Sequence, residues 1–76
     1  MNISEEIFIA NLGLHIKGLR EKKDWSQQQL ADACDIPRNQ ISRIERAKIN
    51  TGIRTLIRIA NALDIELTEL LSLHLK

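Results

Sequence analysis

Turn-forming residues are scarce: the 76 residues include three glycines and one proline. An all-β fold needs a breaker at nearly every chain reversal, so this scarcity argues against sheets. Cysteine is almost absent as well. Cys34 stands alone, which excludes an internal disulfide and a thiolate-rich zinc site and makes a reducing cytoplasm the natural compartment. No long apolar run opens the chain. Ile7-Phe8-Ile9-Ala10 follows Glu5 and Glu6, where a signal peptide would carry a basic flank and a longer apolar stretch, and a membrane role is not expected. Asn2-Ile3-Ser4 matches the glycosylation sequon, but without an export signal the match is chance. His15 and His74 lie far apart, and neither joins Cys34 or a carboxylate pair. With no nucleophile–base or metal constellation, the chain reads as a binding module with no cofactor and no metal, and not as an enzyme.

What is present fits one small globule. Hydrophobic residues at 43% are too many for a disordered chain, and charged residues at 28% are ordinary for a soluble one. A chain of 8.7 kDa buries only about 60% of its unfolded surface, which leaves room for a single domain over residues 1–76. The net charge of +1 conceals a strong asymmetry. From Met1 to Asp24 acids and bases cancel. Between Pro37 and Arg54, however, Arg38, Arg43, Arg46, Lys48 and Arg54 face only Glu45. That window carries the basic footprint of a nucleic-acid reader on a near-neutral chain.

Helix signals recur and strand alternation does not, so the fold class is all-α. Ser4 with Glu5 and Glu6 caps a first helix running to about Lys22. Ser26-Gln27-Gln28-Gln29 holds a Ser-x-x-Gln capping box for a second helix ending near Cys34. Pro37 is tolerated only in a first turn and begins a third, ending near Arg46. Ile53, Leu56, Ile57, Ala60 and Leu63 form the stripe of a fourth. A fifth, over 66–76, places Leu67, Leu70 and Leu71 on one face. The first helix carries two stripes: Phe8, Leu12, Ile16 and Leu19 on one side, and Ile3, Ile7, Ala10 and Leu14 on the other. A helix lying on a core needs one. The second stripe, with Leu70, Leu73 and Leu75, is therefore assigned to dimerisation.

Residues 27–46 place two short helices around the turn Asp35-Ile36, with small Ala31 at the crossing and Leu30, Ile36, Ile41 and Ile44 as apolar anchors. That is the helix-turn-helix pattern, whose second helix enters the major groove. Arg38, Asn39 and Gln40 fall at its start. Arginine can bridge the two acceptors of guanine, and asparagine or glutamine can bridge adenine. Trp25 is expected to pack on the first helix and Cys34 to be an inert filler.

Through Leu12-Gly13…Ile16…Leu19-Arg20, Trp25-Ser26-Gln27…Leu30-Ala31, Ile36-Pro37-Arg38…Ile41-Ser42-Arg43-Ile44-Glu45-Arg46 and Thr55-Leu56…Ile59-Ala60-Asn61-Ala62-Leu63, the chain resembles the phage-repressor and Cro-like (XRE) helix-turn-helix family. Among its members it is similar to stand-alone restriction–modification controller proteins. The resemblance implies a compact five-helix, lambda-repressor-like domain that binds double-stranded DNA as a homodimer on a two-fold-related operator and acts as a small transcriptional regulator. It implies base contacts by Arg38, Asn39, Gln40 and Arg43. It places phosphate contacts at Gln27, Ser42, Arg46, Lys48 and Arg54, and a buried structural ion pair at Arg20 and Glu45. Asp35 stands where the family turn commonly has glycine, and Pro37 replaces its usual serine or threonine cap. The N-terminal extension, residues 1–11, lies largely outside the shared pattern. An alternative is an antitoxin that masks a toxin through its apolar stripes, which the neighbouring genes would distinguish; no residue pattern assigns a toxin or an RNA polymerase as partner.

Overall fold

A computed structural model describes residues 4–73, and these form five helices and no strand. Helix α1 spans Glu5–Lys22, α2 Gln27–Cys34, α3 Arg38–Glu45, α4 Ile53–Ala62 and α5 Leu67–Leu70. The first two start as local hydrogen bonding dictates. The Ser4 hydroxyl accepts from the Ile7 amide at 3.4 Å, and Glu5 and Glu6 occupy the positive end of α1. At α2 the capping box is reciprocal: the Gln29 amide donates to Ser26 Oγ at 3.1 Å, and the Ser26 amide donates to Gln29 Oε1 at 2.7 Å. Pro37 is the extended residue that precedes α3, just ahead of its first turn, and it offers no side-chain cap.

The ends of the four longer helices share one device. Each is followed by a residue in the left-handed region: Asp24 (φ 57°), Asp35 (φ 59°), Ala47 (φ 57°) and Asp64 (φ 59°). The next amide then reaches back to a carbonyl of the last turn. Trp25 donates to Arg20, Ile36 to Ala31, Lys48 to Arg43 and Ile65 to Ala60, at 2.8–3.3 Å. These are Schellman closures built without glycine.

Each helix contributes one large side chain at zero exposure: Ile16, Leu30, Ile41, Ile59 and Leu70. Burying each of these contributes about 1.5–3 kcal/mol, and together they set the layout in which α2 packs on α3 and α4, α1 on α3 and α5, and α4 on α5.

Three expectations change. The α4 stripe is wider than the core can cover: Leu56, Ile59, Ala60 and Leu63 are buried, but Ile53 is 55% and Ile57 42% exposed. At 100° per residue the two isoleucines lie on one flank of the buried arc, which the neighbouring helices cover only in part. Helix α5 is a single turn, and the chain leaves helical geometry by Ser72, short of the expected run over 66–76. Leu70 cannot serve dimerisation, because it is wholly buried in its own core, and Leu73 is half-buried against that core. On α1, Ile7 and Leu14 stay exposed. Ile3, His74 and Leu75 lie outside the described residues.

Candidate nucleic-acid interface

Helix α3 is held from behind and bare in front. Its inner side consists of Ile41, Ile44 and Glu45. Glu45 is 6% exposed and paired with Arg20, itself 8% exposed. Arg20 Nε donates to Glu45 Oε2 at 2.7 Å and Nη2 donates to Oε1 at 3.0 Å, while Nη1 donates to the Trp25 carbonyl at 2.6 Å. These bonds with Glu45 hold the Arg20 guanidinium above its ordinary pKa, against the opposing effect of burial. One fork therefore ties α1, the α1–α2 turn and the end of α3 together.

Gln27 joins the same network from the start of α2, its Nε2 donating to Glu45 Oε1 at 3.1 Å. Its amide group braces α3. Trp25 is half-buried against the core, and the Lys23 ammonium lies 5.3 Å from the centre of its ring. Cys34 is buried, its Sγ 3.8 Å from the Arg58 carbonyl, and burial pushes its thiol pKa up. A raised thiol is a poor nucleophile, consistent with a filler.

Gly13 brings α1 and α3 together, a role that composition and periodicity did not reveal. A Cβ there would lie 2.5 Å from the Ile44 carbonyl oxygen and 3.0 Å from that of Glu45. The backbones of α1 and the last turn of α3 touch at this point, and only glycine permits it. The available signal was a glycine retained in the middle of an otherwise good helix.

In front, Arg38, Asn39 and Arg43 are exposed, and Gln40 and Ser42 are half-buried on the two flanks. At 100° per residue Asn39 and Arg43 point directly away from Ile41. Arg46 extends the row and donates from Nε to the Ser42 carbonyl at 3.3 Å. The left-handed turn at Ala47 carries the chain on to exposed Lys48, and exposed Arg54 lies in the first turn of α4. Because the single acid between Pro37 and Arg54 is buried with its own arginine, the five cations of that segment face solvent without a neighbouring carboxylate from it. The starts of α3 and α4 have no side-chain cap, so their first amides remain free for an acceptor.

Among the described residues, no cluster of three or more histidine, cysteine, aspartate or glutamate residues could hold a metal ion. No helix there is long and apolar enough to cross a membrane.

A helix-turn-helix family model (HTH_3) matches residues 16–70. The chain is similar to the restriction-modification controller protein C.AhdI from Aeromonas hydrophila, at 32% identity and a TM-score of 0.80, covering 82% of this chain and 94% of that one. It is similar at 30% identity and a TM-score of 0.80 to the controller protein C.Esp1396I, solved as a tetramer in complex with its natural 35 base-pair operator, with 88% and 92% of the two chains covered. The immunity repressor of Bacillus phage phi105 is 33% identical over 57 residues, 75% of this chain and 40% of the repressor. The chain spans less than two thirds of the length of each curated relative that it matches.

Proposed function

The chain belongs to the HTH_3 helix-turn-helix family of DNA-binding transcription regulators, and from that premise we propose that it reads double-stranded DNA sequence-specifically as a homodimer. The observation that carries this reading is the outward row Arg38, Asn39 and Arg43 on a helix whose only acid is turned inward and neutralised. Arg38, Asn39, Gln40 and Arg43 take base edges in the major groove. Ser42, Arg46, Lys48, Arg54 and the free amides opening α4 take phosphates. Gln27 braces α3 through Glu45 and lies where it could meet a phosphate as well.

Two copies would present their α3 helices to successive major grooves about 34 Å apart on a two-fold-related operator. The apolar surface for that dimer is the flank of α4 that the core leaves open, Ile53 and Ile57, since Ile53 adjoins the phosphate-binding Arg54. The face of α1 bearing Ile7 and Leu14 lies opposite the side that packs on α3. The regulator acts without catalysis, in the cytoplasm, as a restriction–modification controller or a Cro-type repressor.

Selection from a random DNA pool tests the reading. A two-fold-symmetric consensus is expected. Arg46, Lys48 and Arg54 from both chains give roughly six neutralised phosphates, so log affinity should fall with log salt at a slope of about −5. An unenriched pool would refute sequence reading.

A further inference from the structure

One more exposed cation borders the reading helix. Gly13 and Arg20 are two points at which α1 is pinned to the end of α3. A Cβ on Gly13 would lie 2.5 Å from the Ile44 carbonyl oxygen, and Arg20 Nε donates to Glu45 Oε2 at 2.7 Å. Lys17 falls between these points, about 6 Å along the helix axis from Gly13 and about 4.5 Å from Arg20. Helical phase fixes the side on which it emerges. At 100° per residue, Ile16 lies about 60° and Leu12 about 100° to one side of Gly13, and both are buried in the core. Lys17 lies about 40° to the other side and is exposed.

The same core lies behind α3, where Ile41 and Ile44 are buried in it, while exposed Asn39 and Arg43 point away from it. An edge of α1 that borders α3 and turns away from the core therefore opens on the side that Asn39 and Arg43 face. Lys17 stands on that edge, beside the stretch that leaves α3 with exposed Arg46 and Lys48. No acid holds its ammonium elsewhere: among the described residues the one salt bridge joins Arg20 and Glu45. Exposed Glu21, one turn on, lies about 40° further round from α3, and Glu6 is about 16 Å away along the axis.

We propose that Lys17 binds a phosphate of the DNA backbone at the C-terminal end of α3, so that the phosphate-binding surface runs from α4 past the α3–α4 loop onto α1. The ligand is a phosphodiester of the duplex whose bases α3 reads, and in that respect the contact rests on the DNA reading above. A lysine ammonium is a compact charge on a flexible four-carbon stem, suited to a phosphate and lacking the planar fork that reads a base edge. It therefore adds affinity and holds α3 in the groove without adding a base to the consensus. One lysine from each chain adds two to the roughly six phosphates already counted and steepens the dependence of log affinity on log salt by about 2.

Binding of the full chain to a selected operator over a salt series tests this, with Lys22→Gln as the charge-matched reference. Lys22 is exposed about 180° from Gly13, on the side of α1 away from α3, so its loss changes the net charge equally and removes no contact. Lys17→Gln should flatten the slope by about 2 and weaken binding by more than about tenfold at low salt. The selected consensus should stay as it was, because a phosphate contact carries no sequence. Lys17→Arg should keep the wild-type slope. Both lysines are exposed, and circular dichroism checks that each variant is folded. Equal slopes for Lys17→Gln and Lys22→Gln overturn the proposal. So does a Lys17→Gln protein that selects a different consensus, since Lys17 would then meet a base. A chain that enriches no sequence but still loses slope at Lys17 would instead refute the sequence reading and leave the phosphate contact standing.

Discussion

Replacing Gly13 by alanine sets helix propensity against tertiary packing, and the distances decide which wins. In an isolated helix the exchange stabilises by about 0.5–1 kcal/mol. Here the new Cβ would lie 2.5 Å from the Ile44 carbonyl oxygen, 0.9 Å inside the 3.4 Å at which ordinary contact begins. That oxygen already accepts from the Ala47 amide at 3.1 Å, so it cannot swing aside without opening the turn that closes α3. Relief requires α1 and α3 to separate, at an overpacking cost of about 1–3 kcal/mol. The net loss is up to about 2.5 kcal/mol, which for a domain of this size lowers Tm by up to roughly 20 °C. Gly18→Ala is the matched control, because a Cβ at Gly18 meets nothing within 4 Å. It should raise Tm by roughly 2–8 °C through propensity alone. Thermal unfolding by circular dichroism, with both variants at the same low concentration, reads the comparison. Gly13→Ala should also weaken operator binding, since the last turn of α3 moves with the strain. A Gly13→Ala protein as stable as Gly18→Ala would refute the close approach and the reasoning built on it.

The remaining predictions concern the network, the turn, the reading face and the thiol. Arg20→Ala or Glu45→Ala leaves a buried charge unpaired and should cost about 3–5 kcal/mol in denaturant unfolding, whereas replacing both by apolar residues of similar size should cost much less. Ala47→Gly should stabilise by up to about 1 kcal/mol, because alanine bears the left-handed strain at φ 57° that glycine does not, and a lower midpoint in urea would count against it. Arg43→Ala should lose about 1–3 kcal/mol of operator affinity and relax the sequence preference, while Lys48→Ala should weaken all sequences alike and flatten the salt slope. Burial raises the Cys34 thiol pKa, so the folded chain keeps a proton that the unfolded chain releases above about pH 8.5. The unfolded state then binds fewer protons, and stability falls as pH rises toward the folded value. The stability difference between wild type and Cys34→Ala should thus be flat below that pH and shrink above it. A difference that stays constant to high pH would show the thiol to be unperturbed.

How much of this was legible beforehand depended on the range of the interaction. The starts of α1 and α2 rest on bonds between residues three apart, Ser4 with Ile7 and Ser26 with Gln29, so hydroxyl and amide spacing announced them. The reading face was legible for a similar reason. The helical period that sends Ile41 inward sends Asn39 and Arg43 outward, whatever surrounds them. Asp35 signalled a left-handed turn because its side chain tolerates one. Ala47 adopts the same turn with no signal, since nothing in an alanine asks for it. The Lys48 amide bonded to the Arg43 carbonyl at 2.8 Å holds it there.

The number and order of the helices, the helix-turn-helix and the concentration of positive charge between Pro37 and Arg54 follow from the order of the residues alone, because capping, periodicity and charge act between neighbours along the chain. Which apolar residues are covered depends on how the helices pack. A stripe states how wide an apolar arc is and not how much of it another helix can reach. So Ile53 and Ile57 stay in solvent, Leu70 vanishes into the core, and Ile7 and Leu14 face outward. Likewise only the fold showed that Gly13 is where two backbones meet, whereas the buried pair of Arg20 with Glu45 was expected from the family resemblance and from no local pattern. Such facts depend on residues 25 or more positions apart, and only the packed chain brings those together.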